Sequence, residues 1–277
     1  MTTGVRDKAV RYILDRSCPS GGFCYYRLDE PNPHDTYYAL AALDCLGTPC
    51  RDGLTRRYLQ ALQGRNDGFS SLIQAFFVLS SLQLLHGEPL FDPADCLEAF
   101  TSRMLVRLEM EDRAAETTVF QDLYRLAAVR RARWPGRQDG RADVLARHLR
   151  DRRQEDGGFG AQRSTLMDTC AAVAALRCLG QPLPAGTVTP FVRSSEHPVF
   201  GFTGIPGTAL YFLEYLHAGL ALCREIAVTP TYPEPCRSAL LRCQTDTGGF
   251  ARASRASATM ENTCLAVQGF AILDQRA

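Results

Sequence analysis

The chain has 277 residues and 31 Lys and Arg, yet Lys8 is its one lysine and Trp134 its one tryptophan. Its formal net charge is only +1. Without a clustered basic surface a nucleic-acid partner is not expected, and without a block of like charge no disordered tail is expected. No stretch reaches the roughly 20 apolar residues of a membrane span, and Met1-Thr2-Thr3-Gly4-Val5-Arg6-Asp7-Lys8 leads into no apolar leader. A cytoplasmic protein is therefore expected. No segment shows the β-branched alternation of a strand. The 11 cysteines are odd in number, and Cys45, Cys96, Cys178, Cys223 and Cys264 sit in apolar helical patterns, as reduced core residues do.

What the sequence does have is a repeat. Gly157-Gly158-Phe159 is followed by Asp168-Thr169-Cys170 and an Ala- and Leu-rich run ending at Gly180. Gly21-Gly22-Phe23 leads in the same way to Asp35-Thr36-Tyr37, and Gly248-Gly249-Phe250 to Asn262-Thr263-Cys264. With these as a ruler, Asp67-Gly68-Phe69 precedes a weaker copy at Gln74, Glu116-Thr117 opens a degenerate one, and Gly201-Phe202 runs to Glu214. A period of roughly 45 residues leaves room for two helices and two turns per unit. Six units account for the chain, so residues 1–277 are expected to form one domain.

In each unit an apolar helix alternates with an amphipathic one. The expected inner helices run from Asp35 to Leu46, Leu72 to Leu85, Glu116 to Val129, Asp168 to Leu179, Ala209 to Leu222 and Asn262 to Leu273. They are apolar nearly all round, as buried helices are. The expected outer helices cover residues 54–62, 93–107, 142–152, a short 189–194 and 233–242, and residues 5–17 supply the partner of the sixth inner helix. The Gly-Gly pairs provide the positive φ of a sharp corner, with the following Phe tucked beneath it. Arg130 to Arg141, which carries Trp134, reads as a solvated basic connector. The fold class is all-α, an α/α toroid of six helix hairpins with inner and outer rings.

The Gly-Gly-Phe corner, the Asp-Thr-(Tyr/Cys) helix start and the Ala-Ala-Leu-x-x-Leu-Gly finish resemble the repeats of protein prenyltransferase β subunits and of squalene and terpenoid cyclases. The resemblance spans nearly the whole chain and is densest in the first, fourth and sixth units. It implies a prenyl or polyene-type hydrophobic substrate in the lumen, with acid/base cyclisation or isomerisation as the expected activity. Its alternatives are a zinc-dependent prenyltransferase β-like subunit, which would bring a partner subunit, and a non-catalytic hydrophobic-ligand binding protein. In the β subunits an Asp-x-Cys pair and a His hold zinc. Asp168 and Cys170 match the pair, Glu214 stands where the His should be, His217 lies one turn further on, and Asn262 aligns with the His but two repeats away. Only Asp168, Cys170, Glu214 and His217 could complete a site, so no stoichiometric zinc and no cofactor are expected. The Asp-x-Asp-Asp-Thr acid motif of alkene-protonating cyclases is absent, but Glu261 takes its acid position in the sixth unit and His34 in the first, which a closed ring makes neighbours.

The residues expected to carry chemistry are Glu214 and His217 as proton carriers, with Asp168, Asp35 and Glu261 as rim acids and Asp122 as an interior one. Asp35, Asp168 and Asn262 also suit N-caps, Asp122 would otherwise pair with Arg125, and Glu214 and His217 with each other. Tyr38, Phe77, Tyr211, Gln268, His34 and Arg163 are expected to contact substrate. Six helix N-termini at one rim would favour an anion such as a diphosphate, with Arg27, Arg163, Arg252 and Arg255 within reach.

Overall fold

The computed structural model describes residues 1–26, 30–50, 52–64, 68–110, 118–137 and 139–275, so Arg27, Asp67, Glu116 and Thr117 lie outside the described residues. Among those described, the chain forms α1 (Thr3–Leu14), α2 (Pro33–Cys45), α3 (Gly53–Ala61), α4 (Leu72–Leu84), α5 (Ala94–Met110), α6 (Thr118–Arg133), α7 (Gly140–Arg150), α8 (Leu166–Cys178), α9 (Ala185–Ser195), α10 (Leu213–Glu225), α11 (Pro233–Arg242) and α12 (Met260–Asp274). The even-numbered helices pack each against the next, and α12 packs against α2. That closes the inner ring, with the odd-numbered helices around it.

The repeated motif is the joint that holds each corner. Phe23, Phe159 and Phe250 are buried, and their backbone N–H groups donate to the hydroxyls of Thr36, Thr169 and Thr263 at 3.0, 2.9 and 3.0 Å. Each hydroxyl in turn donates to a carbonyl four residues back, at Asn32, Thr165 and Thr259, at 2.7 Å. One threonine therefore satisfies a buried donor and ties the corner to the helix start. The leading glycine has no room for a side chain. At Gly157, with φ of 87°, a Cβ would lie 2.2 Å from the Thr187 carbonyl oxygen of α9.

Gly21 meets Leu54 of α3 in the same way, and Gly248 meets Lys8 of α1. The N-terminal helix thus completes the sixth unit. Its own ends are fixed by the Met1 amino group on Asp274 at 2.6 Å and by the Tyr12 hydroxyl on the Ala258 carbonyl at 3.0 Å.

The structure departs from the sequence expectation at five places. The inner helices start before their anchors: Asn32, Ser71, Thr165 and Thr259 are the N-caps, and each accepts from the backbone N–H of the residue three on, Asp35, Gln74, Asp168 or Asn262. The anchors are third-position residues of a capping arrangement, not caps. α9 is a full helix despite Pro190, because Val188, Phe191 and Val192 bury its inner face. α10 begins at Leu213 rather than Ala209, with the Leu213 N–H donating to the Arg252 carbonyl. Two short antiparallel pairs, β1 (Glu196–His197) with β2 (Gly201–Phe202) and β3 (Phe250–Ala251) with β4 (Ala258–Thr259), brace the last two corners. The basic connector is in part structure: Arg130 lies in α6, is 5 % exposed, and pairs with Asp139 at 2.7 Å and Thr101 at 2.8 Å.

Candidate functional site at the ring closure

The capping residues fix the register of the rim. Counting from them, the second helical position is His34 in α2, Met167 in α8, Glu214 in α10 and Glu261 in α12. Glu214 is therefore not the counterpart of Asp35 and Asp168; Tyr215 is. The fifth unit has Leu216 where the first, fourth and sixth have their threonine, so its sequence offered no mark to set the register. The corrected alignment joins Glu214 to the same ring of side chains as His34 and Glu261.

Across the seam between the first and sixth units, the Tyr38 hydroxyl donates to Glu261 Oε1 at 3.1 Å, and His34 Nε2 lies 3.7 Å from Glu261 Oε2. His34 Nδ1 is 3.4 Å from Asp35 Oδ1. Burial works to lower the His34 pKa, but hydrogen bonds and charge from Asp35 and Glu261 outweigh it and raise it to about 9. The same His34 contact, against burial, holds Glu261 below the usual carboxylate range. The result is an imidazolium between two carboxylates.

Beside this cluster stands an aromatic wall. The His34 ring meets Tyr38 and Phe77 edge-on at 4.9 and 5.0 Å, and Tyr37, Phe76 and Tyr124 continue the set downward. Below lies a cavity of about 620 Å³ lined by Tyr37, Phe76, Tyr124 and Gln268 among others. It reaches Asp44, His86 and Arg224 at the C-terminal ends of the inner helices.

Glu214 and His217 do not pair with each other. His217 Nε2 is 3.0 Å from Gln268 Oε1, and burial lowers its pKa to about 4. Glu214 Oε1 is 3.6 Å from Arg252 Nε, whose guanidinium lies over the Phe212 ring at 4.0 Å, while Glu214 Oε2 is buried with no partner. Burial raises the Glu214 pKa. Asp168 is buried, accepts from the Thr165 hydroxyl at 2.8 Å, and is also raised by burial. Asp122 pairs with Arg125 at 2.9 Å, as its position suggested, and with Arg107 at 3.1 Å, so both its oxygens are engaged. Tyr211 precedes α10 and stacks on Phe200 at 3.9 Å instead of lining the lumen, because the helix starts late. Arg163 is exposed on the loop before α8. Cys45, expected in the core, is exposed at the base of the cavity.

Asp168 is committed to Thr165, His217 to Gln268, and no group of three His, Cys, Asp or Glu side chains able to hold a metal forms among the described residues.

With fold and site in view, the comparisons agree on the class. The chain matches the prenyltransferase alpha-alpha toroid domain over residues 1–104, 69–206 and 201–277, and it belongs to that family. Among solved structures it is similar to Candida albicans protein geranylgeranyltransferase-I complexed with GGPP, with a TM-score of 0.66 and 13% identity over 98% of this chain and 91% of that one. It is also similar to a protein from Actinoplanes, with a TM-score of 0.61 and 15% identity over 98% and 99% of the two chains. No curated protein matches it. No helix among the described residues is long and apolar enough to cross a membrane.

Proposed function

We propose that the lumen binds a prenyl or polyene-type substrate and that the protein cyclises or isomerises it by acid/base chemistry at the His34–Glu261 pair. One observation carries this: the aromatic wall of Tyr37, Tyr38, Phe76, Phe77 and Tyr124 ends at an imidazolium bonded between two carboxylates. The likeness in fold to a protein complexed with GGPP supports a prenyl chain as the occupant.

The acid's strength narrows the chemistry. An imidazolium with a pKa of about 9 is far too weak to protonate an isolated alkene, but it can give its proton to an oxygen that gains negative charge as its bond to carbon breaks. In this scheme His34 protonates the departing oxygen. Positive charge left on the chain faces the π-surfaces of Tyr38 and Phe77, and Glu261 removes a proton from a neighbouring carbon as the new double bond forms. An alcohol would lose water; the proton from carbon ends on Glu261 and returns to His34 across their contact.

The test is product analysis by mass spectrometry after incubation with prenyl alcohols and prenyl diphosphates. The parent should give cyclised or isomerised product, and His34→Gln and Glu261→Gln should each slow it by roughly 10²- to 10⁴-fold. Turnover at the parent rate by both variants would overturn the assignment; a loss confined to Glu214→Gln and His217→Ala would move the proton carriers to α10.

A further inference from the structure

The rim suits a different head group from the one carried by the ligand of the geranylgeranyltransferase. Helix N-termini attract phosphate through free N–H groups and the positive end of the dipole. Here those positions are occupied by the protein's own acids: Asp35 in α2, Asp168 in α8, Glu214 in α10 and Glu261 in α12 all lie in first turns. Of the nearby guanidiniums, Arg252 is engaged by Glu214 and Phe212 and Arg125 by Asp122, while Arg163 and Arg255 are exposed on the loops before α8 and α12.

A second feature points to a ligand independently of charge. Asn262 is 6 % exposed, and its Oδ1 is buried without a hydrogen-bond partner. It follows Glu261 in the first turn of α12, and Glu214 Oε2, on the adjoining α10, is also buried and unpartnered. Two orphaned acceptors cost free energy unless something donates to them.

From this we infer that the substrate enters with a hydrogen-bond-donating, uncharged head group, a prenyl alcohol rather than a prenyl diphosphate, with its hydroxyl among Glu214, Glu261 and Asn262 and its chain directed into the cavity lined by Tyr37, Phe76 and Tyr124. The inference rests on the lumen being the binding site. A hydroxyl donates one hydrogen bond to the acidic rim and accepts one from His34, whereas a diphosphate would be repelled by the carboxylates and could donate to neither orphan.

Calorimetric titration of the parent protein with a C15 prenyl alcohol, the matching amine and the matching diphosphate tests it. The alcohol should bind at least about tenfold more tightly than the diphosphate, a gap of about 1.4 kcal/mol, and the amine no more weakly than the diphosphate. Raising the salt concentration should strengthen the diphosphate and leave the alcohol unchanged, because only the former meets like charge. In Glu214→Gln/Glu261→Gln, checked for retained helicity, the gap should shrink to within a few-fold. If the diphosphate binds the parent as tightly as the alcohol, the head-group inference fails while the lumen site stands. If none of the three binds, both fail.

Discussion

Thr36, Thr169 and Thr263 show how one side chain sets a corner, since each hydroxyl both accepts from a buried Phe N–H and donates to a capping residue's carbonyl. Thr169→Val keeps the shape and removes both bonds. It should destabilise the protein by about 1–3 kcal/mol, the penalty of an unsatisfied buried N–H, and chemical denaturation should show it; an unchanged midpoint would mean the corner is held by packing alone. His217 predicts a pH effect of definite sign. Its folded pKa of about 4 lies below the ordinary imidazole value of 6.5, so folding favours the neutral ring. The stabilisation this represents is complete above about pH 6.5 and is lost as pH falls toward 4, by up to about 3 kcal/mol. His217→Gln should flatten that acid limb. His34 titrates in the opposite sense: its raised pKa keeps the proton in place below pH 9, and turnover should fall as pH rises through that value.

At the scale of the element, the glycines separate into two kinds that sequence alone cannot distinguish. Gly157 and Gly136 both have positive φ, 87° and 74°, but a Cβ at Gly157 would strike the Thr187 carbonyl oxygen at 2.2 Å while one at Gly136 meets nothing within 4 Å. Gly157→Ala should therefore cost at least about 3 kcal/mol and push α9 away from the corner before α8, whereas Gly136→Ala should cost about 1 kcal/mol. Equal melting temperatures for the two variants would contradict the corner geometry. The inner helices of the strong units were legible because Gly-Gly-Phe and Asp-Thr mark both ends of one joint. Their first turns were less so, since Asn32, Thr165 and Thr259 resemble loop residues until their hydrogen bonds are seen. In the fifth unit Leu216 replaces the threonine, and the register slipped by one residue, enough to set Glu214 in line with the wrong partners. α9 was expected only over residues 189–194, and the burial of Val188, Phe191 and Val192 carries it back past Pro190 to Ala185.

At the scale of the whole molecule the ring must close for the site to exist, because His34 comes from the first unit and Glu261 from the sixth. Their adjacency was legible from the repeat alone; the hydrogen-bonded geometry was not, since it depends on how α2 and α12 meet. α1 is the latch, lying under the corner at Gly248 and bonded to Asp274 and Ala258. Removing residues 1–16 should uncover that corner and abolish both cooperative unfolding and ligand binding, whereas a retained sharp transition would show that the inner ring closes unaided. The most direct test of the central claim is a crystal structure of the protein with a bound C15 prenyl alcohol. The account predicts the chain within the cavity against Tyr37, Phe76 and Tyr124, and the hydroxyl within hydrogen-bonding distance of His34 or Glu261. A ligand seated outside the inner ring, or inverted with its hydroxyl at Arg224 and Asp44, would contradict it.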